Sequence, residues 1–319
     1  SKYIKEGFTL LEITEKEILK ESLLYECKVE KHFNVLWNKI FDTEPNLYSN
    51  KGLILKTYNI ISDNKNKLMS IIKYISNIDC FMSIEQLLEE GYNYSTFLID
   101  KKPILNITDL FNPVLGEKSI KNNLIVGQGN PLNICITGPN AGGKSTFIKS
   151  LCISILLSQT ITISPSTKFE LTPISYIQTY INIPDCKGKE SLYEAEMNRS
   201  LEYINRLKSL NKNKFSFVIM DEIFSSTNPE EGISGAYAIA KNLSNFNNNI
   251  CVLTTHYTYL TKLEYMGKFR NYKIAIDRDN KKNIIYKYKL EKGVSNQFIA
   301  LELLEKKGFD KNIVKDAND

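Results

Sequence analysis

Apolar residues return along this chain with two different rhythms. From 12 to 41, Ile18, Leu19, Leu23, Leu24, Val29, Phe33, Leu36, Trp37 and Ile40 recur at roughly helical spacing with charges between them, which predicts one long helix. Pro45 and Asn46 break it. Helical spacing resumes over about 51–78, interrupted around Ser62-Asp63-Asn64, and a third helix is expected from Ile78 to Glu90, where Gly91 stops it. This stretch gathers no catalytic set of residues and reads as a helical packing segment. Further on, short apolar runs replace the helical pattern. Leu132 to Ile136, Phe215 to Met220 and Ile250 to Thr255 read as buried strands. Between and after them, Thr146–Gln159, Glu194–Lys208 and the stretch opened by Asn228-Pro229 have helical character. Gly232, Ala236, Ala238 and Ala240 are small enough to bring that last helix close to a sheet. Tyr272–Ile276 and Ile284–Leu290 flank a polar turn and predict a β-hairpin, and Gln297–Gly308 predicts a helical tail.

Strand and helix alternate from residue 106 onward, so the expected fold is α/β: a twisted sheet with helices on both faces, preceded by an all-α segment. The boundary is expected near Pro103 to Val114, giving 1–105 and 106–319 as the two parts.

Candidate chemistry gathers where the strands end. Gly138-Pro139-Asn140-Ala141-Gly142-Gly143-Lys144-Ser145-Thr146 fits G-x-x-x-x-G-K-[ST], lying between a strand and a helix as a phosphate-cradling P-loop requires. Glycines let backbone N–H groups close around an anion, and the helix N-terminus adds a favourable field. Lys144 would reach the β- and γ-phosphates and Ser145 would place its hydroxyl on Mg2+. The second strand ends in Asp221-Glu222: Asp221 suits the carboxylate that holds the metal, and Glu222 could polarise the attacking water. The third ends in His256, one of two histidines in the chain, at the sheet edge where open α/β folds make ligand contacts. The expected ligands are therefore ATP and Mg2+.

These residues resemble the ATPase domain of the MutS family of DNA mismatch-repair proteins. Residues 138–146 follow the family's G-P-N-x-G-G-K-S-T, with Ala141 in the variable slot; Asp221, Glu222 and Thr227 match its DE-x-x-x-x-T, and Thr255, His256 and Tyr257 its T-H-Y. The resemblance covers about 106–310 and implies an ABC-type ATPase that couples nucleotide state to dimerisation, as homodimer or heterodimer, and to mismatched or branched DNA. Residues 1–105 look like the end of the core and lever helices, with Ile78–Ser83 resembling the helix that returns from the lever. The mismatch-reading motif has no counterpart. Asn112-Pro113-Val114 stands where the family has H-P-V, and Ile120 and Asn122 match a segment that packs on adenine. Ser119 replaces an aromatic there, a loss of about 1 kcal/mol of stacking, so weaker adenine selectivity is expected. Ser191, Glu196 and Met197 fit the family's S-T-F-x-x-E-M, whose serine touches the partner's γ-phosphate in trans; read locally, Ser191 and Glu194 also form a capping box. Phe224-Ser225-Ser226 for G-R-G and Phe298-Ile299-Ala300 for S-Y-G point to a divergent branch.

Two other readings stay open: an ABC-type ATPase of transport or chromosome structure, although L-S-G-G-Q is absent, and a scaffold that uses ATP only to hold a dimer. Composition narrows the picture slightly. The 42% hydrophobic and 24% charged fractions suit a globular chain, and a net charge of +5 permits nucleic-acid binding without arguing for it. Six scattered cysteines without C-x-x-C suggest no zinc site and a reducing, intracellular setting. No apolar run approaches a membrane span, so no membrane partner is expected. The chain opens on Ser1 rather than methionine, which suggests a fragment or a processed form.

Overall fold

The computed structural model describes residues 59, 62, 65–181, 192–211, 213–278 and 284–295. It divides into two compact units between Glu90 and Gly91. In the first, α1 (Lys65–Glu89) is one continuous helix, where two helices meeting at Ile78 were expected. No proline or glycine falls between Lys65 and Glu89 to interrupt it, and Gly91 follows with φ +94°. The expected helix over 12–41 and the tail over 297–308 lie outside the described residues.

The second unit begins at Gly91, ahead of the boundary expected near 106. Two short strands make the difference. β1 (Asn93–Tyr94) pairs antiparallel with β6 (Ile163–Ser164), and β2 (Thr96–Phe97) pairs parallel with β7 (Lys168–Leu171). Neither has an apolar alternation long enough to mark a strand. β1 and β6 form a two-stranded sheet of their own, whereas β2 and β7 join β3 (Leu105–Leu110) and β4 (Asn122–Val126) in a four-stranded sheet in the order β2-β7-β3-β4.

The larger sheet has six strands in the order β12-β11-β5-β10-β9-β8. Its members are β5 (Asn133–Thr137), β8 (Ile174–Tyr180), β9 (Phe215–Asp221), β10 (Asn249–Thr254), β11 (Phe269–Arg278) and β12 (Ile284–Lys292). All neighbours run parallel except β12, which turns back antiparallel along β11. The helices of this unit are α2 (Lys144–Ile161), α3 (Leu192–Ser209) and α4 (Pro229–Leu243), followed by 3-10 turns over Thr258–Met266.

Strand side chains point alternately to opposite faces, and the continuous apolar runs therefore feed two cores. Ile134, Ile136, Phe217, Ile219, Ile250 and Val252 pack with Phe147, Ile148, Leu151 and Ile155 of α2 and with the small sheet. Cys135, Val218, Met220, Cys251 and Leu253 pack with Tyr203 and Leu207 of α3, Ala236, Ala240 and Leu243 of α4, and Leu260 and Leu263. Helices thus cover both faces of a mixed α/β fold. Cys135 and Cys251 are wholly buried, and burial pushes the Cys251 thiol up to about 12, so both act as small apolar residues. At the front of α4, Asn228 Oδ1 accepts the Glu230 N–H at 3.0 Å and Pro229 takes the first turn.

Candidate functional site

Parallel strands β5, β10 and β9 lie side by side, so their C-terminal ends deliver Gly138, Thr255-His256 and Asp221-Glu222 to one edge. Between β5 and α2 the backbone turns through Ala141 at φ +60° and Gly143 at φ +102°, and Gly143 caps α2 in the left-handed region. A Cβ on Gly143 would stand 3.0 Å from the Tyr288 ring. Glycine here meets both a backbone demand and a close approach.

Lys144, the first residue of α2, is only 4% exposed. Its ammonium donates to the carbonyls of Gly138 (3.0 Å) and Pro139 (3.2 Å), lies 3.2 Å from His256 Nε2, and pairs with Glu222 Oε1 at 3.3 Å. Burial pulls its pKa below the usual lysine value, while Glu222 and then Asp221 oppose the shift. Glu222 Oε1 also meets His256 Nε2 at 2.7 Å. That hydrogen bond, with the Lys144 charge behind it, holds the Glu222 carboxyl below its ordinary value against the effect of burial. Thr254 aligns the acidic pair: its hydroxyl donates to Asp221 Oδ1 at 2.5 Å and accepts the Glu222 N–H at 3.1 Å. Glu222 itself sits at φ +52°, a conformation uncommon outside glycine and concentrated at functional sites.

A cleft of about 530 Å3 opens beside this cluster, walled by residues 139–147 of the loop and helix, by Glu222, and by Leu110, Asn112, Leu115, Ile120 and Tyr288. Gly138 follows the end of β5 just ahead of the lining residues, and Ser145 and Thr146 line the cleft from the first turn of α2. Asn140 and Ala141 are exposed at the loop tip and Gly142 is buried. The cleft is large enough for a nucleotide. Its glycine loop, buried cation and helix N-terminus suit polyphosphate, and Ser145 and Asp221 offer the hard oxygen donors that Mg2+ prefers.

The strand-end residues expected from the sequence therefore converge, with two qualifications. Ile120 lies exposed at the cleft, but the Asn122 side chain is committed to the protein. Its Nδ2 donates to the carbonyls of Ile120 and Tyr288 (both 3.1 Å) and its Oδ1 accepts the Leu290 N–H at 2.7 Å. Asn122 ties β4 to β12 more directly than it offers itself to a ligand. Ser191 lies outside the described residues; the helix after it, α3, starts at Leu192.

Tyr288 was missed. The β11–β12 register slips between Ala275 and Ile276: Ala275 faces Lys289, yet Ile276 faces Tyr286. Lys287 and Tyr288 are surplus, and Tyr288 takes φ +51°. A bulge re-aims its side chain, here toward the cleft. An aromatic thus stands in the pocket that the Ser119 substitution was expected to leave without one; Ser119 Oγ instead accepts the Asn112 N–H at 2.6 Å. Two tyrosines spaced by two in the second hairpin strand were the only hint in the sequence.

Fold and site together define a mixed α/β protein with an anion-adapted glycine loop at the edge of a largely parallel sheet. The family model of MutS domain V matches residues 134–319, which places the chain in the MutS family. The DNA mismatch repair protein MutS of Bacteroides fragilis is 30% identical over 256 residues, covering 77% of this chain and 29% of its own length. Those of Prochlorococcus marinus (strain AS9601) and Finegoldia magna are 26% and 28% identical, over 88% and 90% of this chain and 31% and 34% of theirs. The chain thus spans about a third of the length of these relatives. Among the described residues no helix is long and apolar enough to cross a membrane.

Proposed function

We propose that this segment is the Mg2+-dependent ATPase part of a MutS-like mismatch repair protein, hydrolysing ATP to ADP and phosphate in a P-loop site of the ABC type. The observation that carries the reading is the meeting of Lys144, Glu222 and His256 within 2.7–3.3 Å of one another at the ends of neighbouring parallel strands, beside a nucleotide-sized cleft.

The loop N–H groups and Lys144 hold the polyphosphate, and Tyr288 and Ile120 offer apolar surface to the base. Ser145 and Asp221 would hold Mg2+, which when bound neutralises charge on the phosphates. An entering polyphosphate competes with Glu222 for the Lys144 ammonium. Once Lys144 turns to phosphate, Glu222 keeps His256 as its partner and can orient and polarise water at the γ-phosphorus. The carboxyl is held ionised by its neighbours, as a group accepting a water proton in the transition state must be.

The open side of the γ-phosphate is closed by Ser191 of a second copy or of a related chain. Met197 and Leu201, on the same helix as that segment, are 46% and 57% exposed, apolar surface that a partner would cover. Nucleotide-driven pairing would then report to mismatched or branched DNA, a reading in keeping with relatives that are named DNA mismatch repair proteins.

Phosphate release by the purified chain, with and without heteroduplex DNA, tests this. Glu222→Gln should bind ATP and turn over ~100- to 10,000-fold more slowly, and Lys144→Ala should lose tight nucleotide binding. Mixing Lys144→Ala with Ser191→Ala should restore one composite site per mixed dimer and part of the activity. Unchanged turnover in Glu222→Gln would remove the assigned base, and a mixture that dimerises but stays inactive would remove the trans role.

A further inference from the structure

Two residues beyond Glu222, the backbone of Phe224 is gripped from both sides. Its N–H donates to Glu196 Oε2 at 3.0 Å, and its carbonyl accepts the Tyr257 hydroxyl at 3.1 Å. Its ring meets that of Tyr193 edge to face, with centroids 5.2 Å apart. Phe224 stands at φ +60°, so Glu222 and Phe224 are both non-glycine residues in the left-handed region within one three-residue turn. Such a turn persists only where its surroundings hold it.

Glu196 is an odd choice for that grip. It lies in the second turn of α3 and is only 6% exposed. Among the described residues no cation pairs with it, and burial pushes its pKa up, with the Phe224 N–H opposing the shift. A buried carboxylate is costly, and an apolar side chain would fill the same space against the sheet more favourably. What an apolar residue cannot do is accept the Phe224 N–H.

We propose that Glu196 is a positioning residue for ATP hydrolysis: through the Phe224 N–H it fixes the turn that aims the Glu222 carboxylate at Lys144 and His256. This rests on the hydrolytic reading above. It adds a link from α3 to the base that no motif around Asp221-Glu222 contains. The hydrogen bond that the Glu196 side chain displays goes to the Phe224 N–H and not to the glycine loop; it acts by holding a backbone.

The test compares Glu196→Gln, which keeps an acceptor oxygen in place, with Glu196→Leu, which fills the space and removes it. ATP affinity, kcat and KM for phosphate release, and amide hydrogen exchange across 221–228 are measured on the whole chain. Glu196→Leu should lower kcat by about tenfold or more and accelerate exchange at Phe224, with ATP affinity within about threefold of the parent. Glu196→Gln should restore both. Tyr257→Phe removes the opposite anchor and should move exchange and kcat in the same direction. Wild-type kcat in Glu196→Leu, or Glu196→Gln as slow as Glu196→Leu, overturns the proposal. Should Glu196→Leu not fold, unchanged exchange and kcat in Tyr257→Phe overturn it instead. A wild-type chain that binds ATP without releasing phosphate overturns the hydrolytic reading, and the exchange data then decide whether Glu196 holds the turn.

Discussion

Replacing Gly232 by alanine should reverse the usual sign of that substitution in a helix. Gly232 lies in the first turns of α4, where its N–H donates to the Asn228 carbonyl at 2.8 Å. Alanine is favoured over glycine in a helix interior by about 1 kcal/mol. A Cβ at this position, however, would stand 2.4 Å from the Phe224 carbonyl oxygen and 2.9 Å from the Tyr257 hydroxyl. The closest approach that real Cβ atoms show is about 3.0 Å, so the carbonyl must retreat by at least 0.6 Å (3.0 − 2.4). It is a backbone atom in a turn anchored by Glu196 and Tyr257, and no rotamer change relieves it. Overpacking of this kind costs ~1–3 kcal/mol and disturbing the Tyr257 bond about 1 more, against about 1 gained in propensity. The net expectation is a loss of about 2 kcal/mol, or roughly 4–8 °C in Tm for a unit of this size. The same displacement reaches Glu222, so phosphate release should fall beyond what the lost stability explains. Gly235→Ala is the control. Its nearest atoms are the Phe224 ring carbons at 3.2 and 3.4 Å and the Tyr193 hydroxyl at 3.7 Å. A ring can turn aside, so its melting point should stay within the range of surface substitutions. Thermal melts and phosphate release on the three proteins decide the matter. Gly232→Ala melting at or above the parent would refute the close contact and the anchored turn together.

Other expectations are simpler. Asn228→Ala removes the only side-chain acceptor at the front of α4 that the structure displays and should cost about 1 kcal/mol in a denaturant titration, with Asn228→Ser recovering most of it. Tyr288→Ala should raise the Kd for ATP about fivefold through lost stacking of about 1 kcal/mol, read by nucleotide titration, with little change in Tm because the side chain is half exposed. Glu222 has a folded pKa below its ordinary 4.5, so its stabilisation is present above pH 4.5 and is lost as pH falls through the lower folded value. Denaturant melts below pH 4.5 should show this acid-side loss in the parent and a shallower one in Glu222→Gln.

The six-stranded sheet was legible where strands are buried on both faces. β5, β9 and β10 read as unbroken apolar runs, because each alternate residue feeds a different core. β1, β2, β7 and β8 were not legible. β1 and β2 are two residues each with exposed side chains, and β8 leaves most of its residues only partly buried. Their stability comes from pairing with distant partners, and no local pattern records a partner. The unit boundary moved to Gly91 for the same reason. The single helix α1 resembles two in sequence because periodicity drifts over its twenty-five residues; the absence of any proline or glycine between Lys65 and Glu89 is the stronger signal.

The site divides along a similar line. Asp221 and Glu222 were legible as the last residue of β9 and the one after it, His256 as a residue just past β10, and Lys144 as the start of the helix that follows the loop after β5; parallel strands of similar length bring these ends together without further instruction. Tyr288 depends on a two-residue slip between antiparallel strands, and a slip changes which face every later side chain takes. Nothing in Tyr286-Lys287-Tyr288 states that the ladder will break there. Glu196 could be seen only as part of a helix start or a family pattern, because the atom it meets is a backbone N–H 28 positions away. Asn122 illustrates the converse. It was picked out for a ligand, yet its amide joins two strands 166–168 positions apart. A motif names the side chains that could meet a ligand; which of them the protein has already committed to its own backbone depends on contacts that only the folded chain contains.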